Sequence, residues 1–130
     1  RYAVAPEVCA NCVIVTGRRA EQVRFAACVV LATTRVDVNG LVRRRLDARK
    51  ASFAPMAVAV AETGMEYGGI TPFGLPAGWP VLVDTAVLDA AMVVVGSGLR
   101  QSKLLIPGAA LRSLTALESL DDLGVSGNRN

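Results

Sequence analysis

Gly68-Gly69-Ile70-Thr71-Pro72-Phe73-Gly74-Leu75-Pro76-Ala77-Gly78-Trp79-Pro80 carries four glycines and three prolines in thirteen residues, with apolar side chains set between them. Glycine allows backbone angles and close approach that other residues do not, and proline fixes φ and removes a donor. A floppy linker would be polar, whereas Ile70, Phe73, Leu75 and Trp79 need a core to pack on. The stretch therefore reads as an ordered loop whose backbone groups face a pocket, or as a long structural turn.

Downstream, Val81-Leu82-Val83 reads as a strand that ends at Asp84, and Thr85 to Ala90 as a turn or single helical turn with Val87 and Leu88 inward. Met92–Val95 and Lys103–Ile106 read as strands joined by the tight connection Gly96 to Gln101. After Pro107, the spacing of Ala110, Leu111, Leu114 and Leu117 predicts a short helix, and 124–130 a frayed tail.

Upstream, Cys12 to Thr16 is a short β-branched run, followed by a turn at Arg18-Arg19-Ala20-Glu21. Arg24 to Ala32 is apolar on both alternating faces and predicts a central strand buried on both sides. Asp37 has the character of a helix N-cap, with Val38, Leu41, Val42 and Leu46 placing a helix over 38–47. Arg49 to Phe53 is extended, and Pro55 opens a second helix that stops at Gly64. Strands and helices do not alternate regularly. The fold class expected is α+β, with a mixed, strongly curved sheet and flanking helices, in a single domain over 1–130.

Composition narrows the function classes. Of the 130 residues, 52% are hydrophobic and 19% charged, which excludes a largely disordered chain. No uncharged apolar run is long enough to span a bilayer, and Arg1 to Val8 contains Glu7 and has no signal-peptide apolar region. The chain does not begin with Met, so a leading segment before Arg1 is expected. Cys9, Cys12 and Cys28 form neither an even disulfide framework nor a metal set, and no His is present. Buried, reduced thiols in a cytoplasmic protein are the expectation. Charge is uneven: residues 1–50 hold ten basic and four acidic side chains, and residues 51–130 four and seven. The basic half suits a polyanion.

No Gly-Lys-Ser/Thr phosphate loop occurs, and Gly96-x-Gly98 lacks the third glycine of a dinucleotide fingerprint. Without His, the polar candidates are Asn11, Lys50, Thr71, Asp84, Ser97, Ser102 and Lys103. Asn11 suits carbonyl orientation or a turn cap, and Asp84 suits N-capping first and pocket orientation second. Neither Ser97 nor Ser102 has a neighbouring base that would make it a nucleophile. Arg43, Arg44, Arg45, Arg49 and Lys50 form the densest basic cluster, either an RNA-backbone surface or a solvated face. Few aromatics are available for base stacking.

The Gly68-Gly69-Ile70-Thr71-Pro72-Phe73-Gly74 motif resembles the glycine-rich signature of the YbaK / prolyl-tRNA synthetase-associated editing domains. Its surroundings agree in order: Leu46-Asp47-Ala48-Arg49-Lys50 and an Ala-rich helix ending at Thr63-Gly64-Met65 come before it. Pro80-Val81-Leu82-Val83-Asp84, Val94-Val95-Gly96-Ser97-Gly98 and Ser102-Lys103-Leu104-Leu105-Ile106 come after it. The match runs from about Val8 to Leu114 and implies a mixed, barrel-like sheet with flanking helices.

The resemblance implies hydrolysis of the ester that joins a wrong amino acid to tRNA, chiefly alanine or cysteine on tRNA for proline, with no cofactor and no metal. Asn11, Gly68, Gly69 and Gly74 then fall at the catalytic positions, the glycine-loop backbone polarising the carbonyl or placing water. Met65, Ile70, Thr71, Pro72, Phe73, Asp84, Gly96, Ser97 and Gly98 fall at substrate-binding positions, with Ala10 and Leu75 as further candidates for the pocket lining. Arg43, Arg44, Arg45, Arg49 and Lys50 would meet nucleic acid. Partners implied are aminoacyl-tRNA and an aminoacyl-tRNA synthetase, with no membrane and with homo-oligomerisation left open. One departure stands out: members carry a lysine just before the first apolar strand, and Asn11 occupies that place. It favours, as the alternative, a module that binds tRNA or an aminoacyl ester without turnover; a structural or protein-interaction domain is the third reading.

Overall fold

Alternating burial drives the first hairpin. The structure, a computed structural model, describes residues 9–126. Strands β1 (Ala10–Arg19) and β2 (Gln22–Leu31) pair antiparallel in register from Ala10 opposite Leu31 to Arg19 opposite Gln22. The two-residue turn Ala20-Glu21 joins them, with Ala20 at φ 54°. Both faces of the pair are covered, as the sequence of Arg24 to Ala32 predicts. One face carries Val15, Ala26, Cys28 and Val30 against Val42, Leu46, Leu82 and Leu123. The other carries Ala10, Ile14, Ala27 and Val29 against Val87, Leu111, Ala59 and Ile70. Burying each such Val or Leu stabilises the fold by about 1.5–3 kcal/mol before chain entropy is counted.

The sheet extends on both sides of this hairpin. β4 (Lys50–Phe53) joins β1 antiparallel, while β5 (Val81–Asp84) joins β2 parallel. β8 (Leu117–Leu120) joins β5 parallel, giving the order β4-β1-β2-β5-β8. Among the described residues this mixed sheet ends at β4 and β8 and does not close on itself. Two short antiparallel pairs accompany it: β3 (Thr34–Val36) with β9 (Gly124–Ser126), and β6 (Val93–Gly96) with β7 (Lys103–Ile106). An isolated parallel bridge from Cys9 to Val94 ties β6 to the start of β1.

Four local expectations change, the first being that Arg18 and Arg19, expected in the first turn, instead end β1 in register with Val23 and Gln22. The helix expected over 38–47 is a π-helical turn, Val38–Val42, running into α1 (Arg43–Arg45). Asp37 does cap it, accepting from the Gly40 and Leu41 amides at 3.0 and 3.3 Å. The carboxylate fills the space beside Gly40, and the turn closes five residues on, Val42 N–H to Asp37 C=O. The helix expected through Leu117 is a 3-10 helix, Gly108–Ser113, and Leu117 instead opens β8. The unpaired edge of β5 needs hydrogen-bond partners, and a short apolar run supplies them equally well as a strand. Gly124–Ser126, placed in the tail from sequence, is β9; residues 127–130 of that tail and residues 1–8 lie outside the described residues.

The remaining helices follow their signals. α2 (Met56–Thr63) starts after Pro55 and ends at Gly64, which takes the left-handed conformation at φ 71°. α3 (Thr85–Leu88) is capped by Asp84 and buries Val87 and Leu88. No described helix is long and apolar enough to cross a membrane.

Candidate active site

The site begins with an incomplete edge of β1. β4 covers only Val15 to Arg18 of that strand, so Ala10 to Ile14 have no β4 residue beside them. The Ala32 amide donates to the Cys9 carbonyl at 2.8 Å, so odd-numbered residues of β1 bond to β2. Even-numbered residues turn their N–H and C=O groups the other way. Ile14 C=O accordingly accepts from the Ala54 amide at 2.8 Å, and the backbone of Cys12 faces outward. Against this edge lies a cavity of about 300 Å³. Its walls are residues 10–14 of β1, Phe53 and Ala54 after β4, Ala59 of α2, Tyr67, Gly68 and Ile70 of the glycine loop, and Gly96 and Lys103 of the β6–β7 hairpin.

The glycine loop is held against that hairpin backbone to backbone. Gly69 N–H donates to Glu66 C=O at 2.9 Å, and Gly69 C=O accepts from Gly98 N–H at 2.6 Å. A Cβ on Gly69 would stand under 3.0 Å from the Leu99 carbonyl, and one on Gly96 under 3.0 Å from the Gly69 and Ile70 carbonyl oxygens. Glu66 N–H donates to Gly98 C=O at 3.0 Å, its carboxylate accepts from the Arg100 amide at 2.8 Å, and Lys103 Nζ donates to Gly68 C=O at 2.6 Å. Two glycines are required here because two backbones occupy the space of one side chain.

The structure thus brings together some of the residues expected at the site and separates others. Asn11, Gly68, Ile70 and Gly96 line the cavity. Gly69 does not: its N–H is used within the loop and its C=O on the hairpin, so it shapes the wall and has no donor left for a ligand. Gly74, at φ 75° with open space around it, is exposed and outside the lining. Met65 lies beneath, its sulfur accepting from the buried Thr71 amide at 3.4 Å. Pro72 is fully buried, and Phe73 and Leu75 pack on the apolar core. Ser97 Oγ donates to Ser102 C=O at 2.8 Å and shapes the hairpin turn together with Gly98, at φ 95°.

Asp84 is also away from the cavity lining. It is 5% exposed, with Oδ1 accepting from the Ala86 amide at 3.0 Å and Oδ2 from the Gly124 amide at 2.7 Å. It is the N-cap that the sequence suggested first, and it does not line this cavity. Lys103, a polar candidate to which the sequence assigned no role, also lines the cavity. Only the pairing of Lys103 opposite Gly96 brings it to the cavity, and a hairpin register is not readable from a lone lysine.

Burial raises the Cys12 thiol well above its ordinary range, Cys28 adding to the effect, and pushes Cys28 up to about 12. Neither is a ready thiolate. Both should resist iodoacetamide at pH 8 in the folded protein and react on unfolding, as read by mass spectrometry of the alkylated peptides.

The basic residues divide as well. Arg43, Arg49 and Lys50 line a shallow groove with Arg18, and Arg44 is exposed beside α1. Arg45 is taken by Glu118 in a two-pronged ion pair, which holds the Glu118 carboxyl below its usual range. β4 links groove to cavity: Lys50, Ala51 and Ser52 border the first, and Phe53 the second.

The chain belongs to the family of aminoacyl-tRNA editing domains, whose profile it matches over residues 1–114. Among solved structures it shares its fold with the hypothetical protein APE2540, at 24% identity and TM-score 0.76, covering 91% of this chain and 75% of that one. A candidate trans-editing enzyme for prolyl tRNA synthetase matches at 19% identity and TM-score 0.76, covering 90% and 71%. A candidate signal transduction protein from Marinobacter aquaeolei VT8 matches at 21% identity and TM-score 0.62, covering 94% of this chain and 26% of that one. No curated protein matches the chain.

Proposed function

We propose that the chain is an aminoacyl-tRNA deacylase that hydrolyses the ester of mischarged tRNA, with tRNA for proline as the leading substrate. The observation that carries this reading is the cavity of about 300 Å³ between the open edge of β1 and the glycine loop. Its apolar floor of Ile14, Ala59 and Ile70 suits a small aminoacyl side chain, and the outward backbone of Cys12 offers a donor and an acceptor. Water adds to the ester carbonyl carbon, the oxygen takes the negative charge, and backbone donors stabilise it. The ester C–O bond then breaks, releasing the amino acid and returning the ribose hydroxyl with a proton from water. An aminoacyl ester is already activated, so positioning supplies much of the acceleration.

The acceptor strand would reach the cavity along β4 from the groove of Arg18, Arg43, Arg49 and Lys50, about 10 Å at a strand's rise. Lys50→Gln and Arg49→Gln should each weaken tRNA binding and lower the salt slope by about one, whereas Arg45→Gln should change it less because Glu118 already holds that charge. Fluorescence anisotropy across a salt series reads this.

Asn11 at the cavity wall favours the second reading, binding without turnover, because an amide supplies no positive charge. A panel of alanyl- and cysteinyl-tRNA for proline, with seryl- and threonyl-tRNAs, separates the two. Enzyme-dependent loss of one charged species supports the deacylase. Salt-sensitive binding with no loss of any, restored to turnover only in Asn11→Lys, overturns it in favour of the binding module.

A further inference from the structure

Among the described residues, Lys103 is the only Lys, Arg, Asp or Glu side chain in the cavity lining. Its ammonium is fixed by one hydrogen bond, 2.6 Å to the Gly68 carbonyl, on the loop that forms the adjoining part of the wall. A carbonyl holds an ammonium in place but cannot neutralise it. Among the described residues no carboxylate pairs with Lys103, and the nearby Glu66 carboxylate accepts instead from the Arg100 amide. Two of its three donor directions are therefore left for a ligand at an exposed rim. Across the cavity, the remaining polar side chain of the β1 wall is the uncharged Asn11.

We propose that Lys103 is the anion-binding residue of this site, taking a phosphate oxygen of the terminal nucleotide while the aminoacyl group enters the cavity. The proposal rests on the editing reading, because that substrate places a phosphodiester one ribose away from the ester. The exposure of Lys103 fits this role: a phosphate bound at a rim keeps part of its hydration, and the lysine holds a register without burying a charge pair. Its position on β7, opposite Gly96, makes the register rigid, since Gly96 abuts the glycine loop. Lys103 thus anchors the loop and the ligand with one ammonium.

The test uses a non-hydrolysable 3′-alanylamido-3′-deoxyadenosine, with and without a 5′-phosphate, against wild type, Lys103→Arg and Lys103→Gln. The glutamine keeps an N–H donor for the Gly68 carbonyl and removes the charge; the arginine keeps both. Wild type should bind the phosphorylated probe about tenfold more tightly, Lys103→Arg should keep most of that preference, and Lys103→Gln should lose it. With mischarged tRNA, Lys103→Gln should raise KM about tenfold and leave kcat nearly unchanged. The proposal is overturned if wild type shows no phosphate preference, if Lys103→Gln keeps it, or if Lys103→Arg loses as much as Lys103→Gln. Turnover by wild type with an unchanged KM in Lys103→Gln removes the anion site and leaves the deacylase. A charge-dependent phosphate preference without turnover of any tRNA keeps the anion site and removes the deacylase.

Discussion

Gly69→Ala is expected to abolish deacylation and to lower the melting temperature by about 5–10 °C. The added methyl would stand under 3.0 Å from the carbonyl carbon and oxygen of Leu99, and backbone does not swing aside as a flexible side chain does. Relief requires parting the glycine loop from the β6–β7 hairpin, which breaks the bonds from Gly98 N–H to Gly69 C=O and from Glu66 N–H to Gly98 C=O. Overpacking of this kind costs about 1–3 kcal/mol, and each lost hydrogen bond about 1 kcal/mol more. The loop carries Gly68 and Ile70 and the hairpin carries Gly96 and Lys103, so their separation opens the cavity itself. Gly74→Ala is the contrasting control. It has open space, so only the left-handed φ of 75° is penalised, at about 1 kcal/mol, and activity should persist. Calorimetry beside single-turnover deacylation checks both. A Gly69→Ala protein that melts normally but has lost turnover would mean that Gly69 contributes directly to the chemistry.

That contrast also marks how far the sequence could be read. The resemblance placed Gly68, Gly69 and Gly74 together, but one of them lines the cavity, one is spacing between two backbones, and one is a turn outside the wall. A motif shows that glycine is needed, and only the partner backbone shows why. The central hairpin was legible because Phe25 to Leu31 is apolar on both faces, a pattern that a two-sided core demands. Asp37 and Gly64 were legible as caps because their chemistry is local. β3, β8 and β9 were not, since each is short and owes its extended form to a partner distant in the chain: β8 to β5, and β3 and β9 to each other. Lys103 was legible as a polar candidate, but its place in the site was hidden for the same reason. Its role depends on facing Gly96 and reaching Gly68, and neither relation is written in its neighbours.

Asp84→Ala should be the most destabilising single change outside the site, by about 3–5 kcal/mol, while leaving KM for mischarged tRNA unaltered. Its carboxylate is buried and joins three pieces of chain: the end of β5, the first turn of α3 through Ala86, and the start of β9 through Gly124. Alanine removes both acceptors and leaves two backbone donors buried or newly hydrated, each at about 1–3 kcal/mol. β9 is held further by pairing with β3, and its neighbour Leu123 is fully buried and accepts from the Asp37 amide at 2.8 Å, so the loss spreads to the π-helical turn. Asp84→Asn keeps one oxygen but turns an amide N–H₂ toward the second backbone donor, and should recover less than half of the loss. Urea unfolding gives the stability change, and kinetics below the melting transition give KM. If Asp84→Ala instead melts like wild type but raises KM manyfold, the carboxylate belongs to substrate binding and its two backbone bonds are incidental. The geometry argues the other way: both oxygens already accept from amides of their own chain, and the residue lies outside the cavity wall.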